Sequence, residues 1–109
     1  MSVTNHSEVL QVPLEHACYA GHFPGKPVVP GAVLMHWIEQ RLSSSLLQAR
    51  IAAVRSMKFL ATLHPGDECQ LLFTQTGPGR VSVRCLRGGV LVCAEQTKAL
   101  QMPPDLWLI

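Results

Sequence analysis

The sequence predicts an α+β domain, one long central helix wrapped by an antiparallel sheet, and three observations predict it. A largely apolar run at helical spacing covers residues 32–47, where Leu34, Ile38, Leu42 and Leu46 make a stripe that Val33 and Trp37 widen. Four strand-like segments follow that run, most of them joined by tight Gly/Pro turns. One short strand precedes it. A stripe that wide suits burial beneath a wrapping sheet rather than a place at the surface.

Taken in order, residues before about position 8 are polar and read as a frayed start. Residues 8–12 form a strand that Pro13 ends or places at an edge. Residues 14–20 connect it to a stiff loop, residues 21–31, in which Pro24, Pro27 and Pro30 fix φ and remove backbone donors, so the loop cannot enter a sheet interior. Pro30-Gly31 ends the loop and opens the helix. Ser43-Ser44-Ser45 lowers helix propensity late in the run and marks a solvent-facing or closely packed turn. Residues 51–60 alternate imperfectly, and His64-Pro65-Gly66-Asp67 is a turn. Residues 69–75 are strand-like and Gly77-Pro78-Gly79 turns the chain. Residues 80–86 alternate polar and apolar side chains, as a half-buried strand does. Arg87-Gly88-Gly89 turns it again, and residues 90–97 are the last strand. The tail ends in Leu106-Trp107-Leu108-Ile109, an apolar run that suits packing on the domain or on a partner subunit.

A chain of 109 residues fits a single domain. With 48% hydrophobic and only 15% charged residues, disorder is excluded, and surface is expected to be buried beyond the chain's own core, in an oligomer. A net charge of +2, with no run of Lys or Arg, argues against a nucleic-acid partner. No uninterrupted apolar stretch reaches membrane-spanning length, and the start lacks a charged segment followed by an apolar one, so a soluble cytoplasmic protein is expected, with no membrane partner. The four cysteines, Cys18, Cys69, Cys85 and Cys93, form no C-x-x-C and read as reduced, small apolar fillers. Cys85 and Cys93 flank the Gly88-Gly89 turn and can meet across a hairpin, where cytosolic redox conditions oppose a bridge.

The run His22-Phe23-Pro24-Gly25-x-Pro27-x-x-Pro30-Gly31 resembles, residue type by residue type, the signature of the 3-hydroxyacyl-(acyl-carrier-protein) dehydratases of the FabZ/FabA type. The resemblance implies the hotdog fold, and Pro65-Gly66-Asp67 resembles a turn common in that family. Fourteen residues after the loop histidine, where the family carries Glu or Asp, this chain carries His36. Trp37 directly after it resembles the Asp-Trp pair of dehydratases from aryl-polyene pathways.

Dehydration of a 3-hydroxyacyl thioester needs a base at C2, an acid at the leaving hydroxyl and donors for the enolate-like thioester oxygen. The resemblance gives the base role to His22, and an imidazole with a pKa of about 6.5 suits it. It gives the thioester-binding role to the N–H of Gly31, which lies at the positive end of the helix without an intrahelical partner; Gly31 also fits the plainer role of easing the turn after Pro30. His36 fits three roles: general acid in imidazolium form, the mark of a site that has given up dehydration for thioester hydrolysis or acyl binding, or a packing residue. Two neighbouring imidazoles push their pKa values apart, which permits one base and one acid. Gln40, one turn on, matches a family glutamine that orients position 36, and equally fits a solvated role. Glu39 is a candidate substitute carboxylate, but its different helical face favours a solvated role.

Phe23, Val28, Val29, Pro30, Leu34 and Trp37 are candidate walls of an acyl tunnel, some of them core instead. His16, His22 and His36 fit no zinc spacing, so no metal and no cofactor are expected. By resemblance, the partners are an acyl thioester on acyl carrier protein or CoA and a second copy of the chain, in a homodimer or a trimer of dimers, with His22 of one subunit facing position 36 of the other. An acidic carrier protein suits Lys26, Lys58 and nearby arginines, whose plainer role is solvation. The expected function is formation of a trans-2-enoyl thioester in fatty-acid or polyene-type biosynthesis; a hotdog thioesterase and a catalytically degenerate acyl-binding or partner subunit are the alternatives.

Overall fold

Five strands and one α-helix carry the chain in a computed structural model that describes residues 5–19, 27–44 and 49–101. In chain order they are β1 (Asn5–Gln11), a 3-10 turn (Ala17–Tyr19), α1 (Gly31–Ser44), β2 (Ala49–Phe59), β3 (Glu68–Gly77), β4 (Arg80–Arg87) and β5 (Val90–Gln101). The strands form one sheet in the order β1-β3-β4-β5-β2, with every neighbouring pair antiparallel. One helix against an antiparallel five-stranded sheet is the hotdog arrangement.

The helix packs because its apolar residues recur every four positions. Leu34, Ile38 and Leu42 are buried to 3%, 0% and 0% exposure, while Val33 and Trp37 are half-buried at the margin of the core. Opposite them, β3 turns Cys69, Leu71 and Phe73 inward and β4 turns Val81, Val83 and Cys85 inward, at the period of two that a strand imposes. Each fully buried Leu, Ile or Phe contributes about 1.5–3 kcal/mol of transfer free energy.

Turn chemistry fixes the register. Gly88 and Gly89 have φ of 58° and 81°, the two positive values that a two-residue type I′ hairpin needs between β4 and β5. The 64–67 turn is clipped by its own aspartate. The Asp67 carboxylate accepts the His64 N–H at 2.8 Å and Arg87 Nη1 at 3.1 Å, and the same Arg87 nitrogen donates to the Thr62 carbonyl at 2.6 Å. Burial pushes the Asp67 carboxyl up, but the His64 N–H and Arg87 outweigh it and hold its pKa below the usual value.

Most strands run longer than expected: β2 starts at Ala49, β3 spans Glu68–Gly77 and β5 runs on to Gln101. β1 begins at Asn5, because β3 is long enough to pair with it back to Thr74. A 3-10 turn occupies part of the connecting segment, tied by Tyr19 Oη donating to the Pro13 carbonyl at 2.6 Å. Within the helix the Ser43 and Ser44 hydroxyls donate back to the Gln40 carbonyl at 3.1 and 3.0 Å, and residues 45–47 of the expected helix lie outside the described residues. Leu46 and the apolar tail lie outside the described residues. Cys85 stands directly opposite Cys93 across the hairpin, and Cys69, Cys85 and Cys93 are buried free thiols. Among the described residues no helix is long and apolar enough to cross a membrane.

Candidate active site

The helix start is built by the last residues of the proline loop. Val29 N–H donates to the Leu63 carbonyl at 2.8 Å and buries its side chain, which anchors the loop to the segment after β2. The Pro30 carbonyl accepts the N–H groups of Val33 and Leu34 at 3.0 and 3.1 Å, so the first turn opens at Gly31. Gly31 is therefore at the N-terminal end of a 14-residue helix, where amide donors point outward and the dipole is positive.

Glycine at this position has a second cause that the sequence did not reveal. A Cβ there would lie 2.7 Å from Phe59 Cζ and 2.9 Å from Phe59 Cε2. The Phe59 ring, at the end of edge strand β2, lies across the space that a side chain at 31 would take. Phe59 itself is 48% exposed, so the ring forms a wall that reaches out from the helix start.

His36 is exposed on the helix, and Gln40 one turn on is also exposed, with no hydrogen bond joining the two side chains. Trp37 lies half-buried on the other flank, with the His16 ring edge-on to it at 5.4 Å. Of the six candidate tunnel residues, Val29 and Leu34 belong to the buried core, while Val28, Pro30 and Trp37 are half-buried. His22 and Phe23 lie outside the described residues, as does Lys26; Lys58 is exposed on β2. Among the described residues no three His, Cys, Asp or Glu side chains come together as metal ligands.

Glu39 corrects the reading of the helix faces. It is half-buried rather than solvated, and its charge acts on Glu95 of β5. Glu95 is 1% exposed and its Oε2 has no hydrogen-bond partner among the described residues. Burial first, and Glu39 second, push its carboxyl up to about 7. Thr97, two residues on and equally buried, is satisfied by donating to the Val81 carbonyl at 3.0 Å. An unpartnered buried carboxyl costs about 1–3 kcal/mol. Periodicity alone could not find Glu95: it occupies an inward position of an alternating strand where an apolar residue is the default.

Around the helix start the described residues place an outward-facing imidazole and a helix N-terminus walled by an aromatic ring, with a buried carboxyl on β5. The family model of ApeI-like proteins, described as ApeI dehydratase, matches residues 2–96. The chain is 33% identical over 84 residues to a 3-hydroxyacyl-[acyl-carrier-protein] dehydratase FabZ of Thermus thermophilus, covering 65% of this chain and 59% of that relative. It spans about six tenths of the length of the curated relatives that it matches most strongly. By structure it is similar to a chain of the dehydratase heterocomplex ApeI:P from Xenorhabdus doucetiae, with TM-score 0.72 and 19% identity over 93% of this chain and all (100%) of that one. The (R)-hydratase of A. caviae involved in PHA biosynthesis has TM-score 0.66 and 14% identity, over 94% and 98% of the two chains. These structural likenesses concern the fold.

Proposed function

Because the chain belongs to the ApeI-like dehydratase family, we propose that it removes water from a 3-hydroxyacyl thioester to give a trans-2-enoyl thioester. The observation that carries the reading is the join between signature loop and helix: Pro30 closes the loop, Gly31 opens the helix, and His36 stands outward little more than a turn further on. In this reading the Gly31 N–H donates to the thioester oxygen and stabilises the charge that develops there. The neutral His22 imidazole takes the C2 proton. His36, as imidazolium, gives its proton to the C3 hydroxyl, which leaves as water. The proton gained by His22 and the one lost by His36 balance, and solvent resets the pair. Phe59 and the half-buried Val28, Pro30 and Trp37 offer apolar surface for the acyl chain.

The proposed unit is one domain acting as a cytoplasmic homodimer or larger, on a substrate carried by acyl carrier protein or CoA. Edge strand β2 supports the dimer. It spans 11 residues, residues 52–56 are all exposed, and Val54, Phe59 and Leu60 present apolar surface beside unpaired backbone. In such a dimer the family resemblance sets His22 of one subunit against position 36 of the other.

The imidazole in place of a carboxylate favours one second reading, a subunit that works beside a different acid-bearing chain, a reading in keeping with the dehydratase heterocomplex among its structural neighbours. Interconversion of 3-hydroxyacyl and trans-2-enoyl thioesters tests both. Turnover by the isolated chain that His36→Ala abolishes supports the first. No turnover alone, with gain on His36→Glu or on mixing with an acid-bearing homologous subunit, supports the second. Release of free thiol from acyl-CoA without enoyl product would replace both with a thioesterase.

A further inference from the structure

A chain of contacts runs from the end of β1 to the helix, and the proposed chemistry leaves it unused. It starts at Val12, which is buried and grips the 64–67 turn twice. Its N–H donates to the Asp67 carbonyl at 2.8 Å, and its carbonyl accepts the Gly66 N–H at 3.0 Å. From that anchor the segment folds back on itself. Tyr19 Oη donates to the Pro13 carbonyl at 2.6 Å, the Tyr19 N–H donates to the His16 carbonyl at 3.1 Å, and the Tyr19 side chain packs against the core. The His16 ring then bridges two aromatic neighbours. Its centroid lies 6.1 Å from that of Tyr19 at 65° and 5.4 Å from that of Trp37 at 88°. Those separations and tilts are the ones at which the edge of one ring meets the face of another. His16 is exposed as a residue, so burial does not force this contact on it. Trp37, at the far end of the chain, is half-buried at the margin of the core and directly follows position 36.

We propose that His16 is a positioning residue that locks the Trp37 ring as a fixed wall beside position 36 and so limits the length of acyl chain that the site accepts. The inference rests on the proposed reading of Trp37 as surface for the acyl chain. The physical cause is rotamer freedom. On a helix more than one χ1 value is open to a tryptophan, and a half-buried ring at a core margin has room to change between them. The edge-on imidazole removes that freedom, because Tyr19 and the Pro13 carbonyl hold His16 from behind and Val12 ties the whole segment to the sheet. A wall with one orientation turns away a chain that needs it to swing aside. A loose wall admits that chain. His16 acts through Trp37 in this scheme and does not touch substrate.

The test uses the full chain carrying Trp107→Phe, in which Trp37 is the one indole left. Near-ultraviolet circular dichroism reads how firmly that indole is held. Binding of S-alkyl-CoA thioethers of increasing chain length, which cannot turn over, reads the length limit. His16→Ala is expected to lose most of the indole band and to raise the affinity for the longest alkyl chain relative to the shortest by about fivefold, the worth of one edge-to-face ring contact. Trp37→Ala should shift the length profile in the same direction and further. His16→Phe should keep both the band and the profile, because a phenyl ring makes the same edge-on contact without a titrating nitrogen. Should His16→Ala fail to fold, Tyr19→Phe carries the test: it removes only the hydroxyl bond to Pro13 and should move both readouts the same way. An indole band or a length profile that the loosening variant leaves in place overturns the inference. So does a His16→Phe chain that behaves like His16→Ala, or a parent chain that binds all chain lengths alike or none. Because the thioethers need no turnover, a chain that shows the length shift but dehydrates nothing refutes the proposed reaction and leaves the role of His16 standing.

Discussion

Gly31→Ala places a methyl group 2.7 Å from the tip of the Phe59 ring, closer than carbon atoms pack, so the ring or the helix start must move. Because the Phe59 ring is 48% exposed and can swing aside, we expect a loss of at most about 1 kcal/mol in chemical denaturation, below the usual cost of overpacking a core. A second substitution, Phe59→Leu, should recover most of it. Glu95 gives a pH prediction with a definite sign. Its folded pKa is raised to about 7 from an ordinary 4.5. Below 4.5 both folded and unfolded chains hold the proton and there is no penalty. Between those values only the unfolded chain releases it, so stability falls as pH rises and the penalty is complete above about 7. Glu95→Gln should flatten that slope and be more stable than wild type at pH 8, by on the order of 2–3 kcal/mol in denaturant titrations. The sequence made Gly31 and His36 legible because both lie on one motif and its helix. Phe59 and Glu95 were not legible, because strand register and sheet order, rather than spacing along the chain, bring them to the helix.

The helix and edge strand β2 carry the predictions at the next scale. Ile38→Ala removes a fully buried side chain at the centre of the helix stripe and should cost about 2–5 kcal/mol, read as a lower denaturation midpoint at unchanged slope. Val54→Glu, on the exposed part of β2, should leave the fold intact and convert the proposed dimer to monomer in sedimentation velocity. Arg87→Ala removes both its bond to Asp67 and its bond to the Thr62 carbonyl, and should cost about 1–3 kcal/mol, more above pH 4 than below because the carboxylate loses its partner. Elements were the most legible level. Pro78-Gly79 and Gly88-Gly89 announce their hairpins by backbone requirement, and the four-residue period of Leu34, Ile38 and Leu42 announces the buried helix face. Boundaries were less so: β1 owes its first residues to pairing with β3, which only the sheet reveals.

Across the whole molecule, half of the proposed chemistry belongs to a second copy. His36 faces outward, and edge β2 is open along the same side as the Phe59 wall. Loss of turnover should accompany the monomeric Val54→Glu chain even though every residue of the helix is unchanged, and it should return when that chain is mixed with an edge-competent homologue. The hotdog architecture was legible because one wide helical stripe followed by strands leaves few alternatives. The strand order was not, since nothing in the sequence says that β2 skips its successors to lie beside β5.

That skip has a consequence for how the chain is made. β2 leaves the ribosome long before β5, yet β5 is its neighbour in the sheet. Until residues 90–101 emerge, β2 has both flanks bare and the helix rests on an unfinished surface. The β2–β5 pairing can therefore form only after translation has passed the last hairpin, and a nascent chain stalled before Val90 leaves the ribbon proposed as the dimer edge without its neighbour.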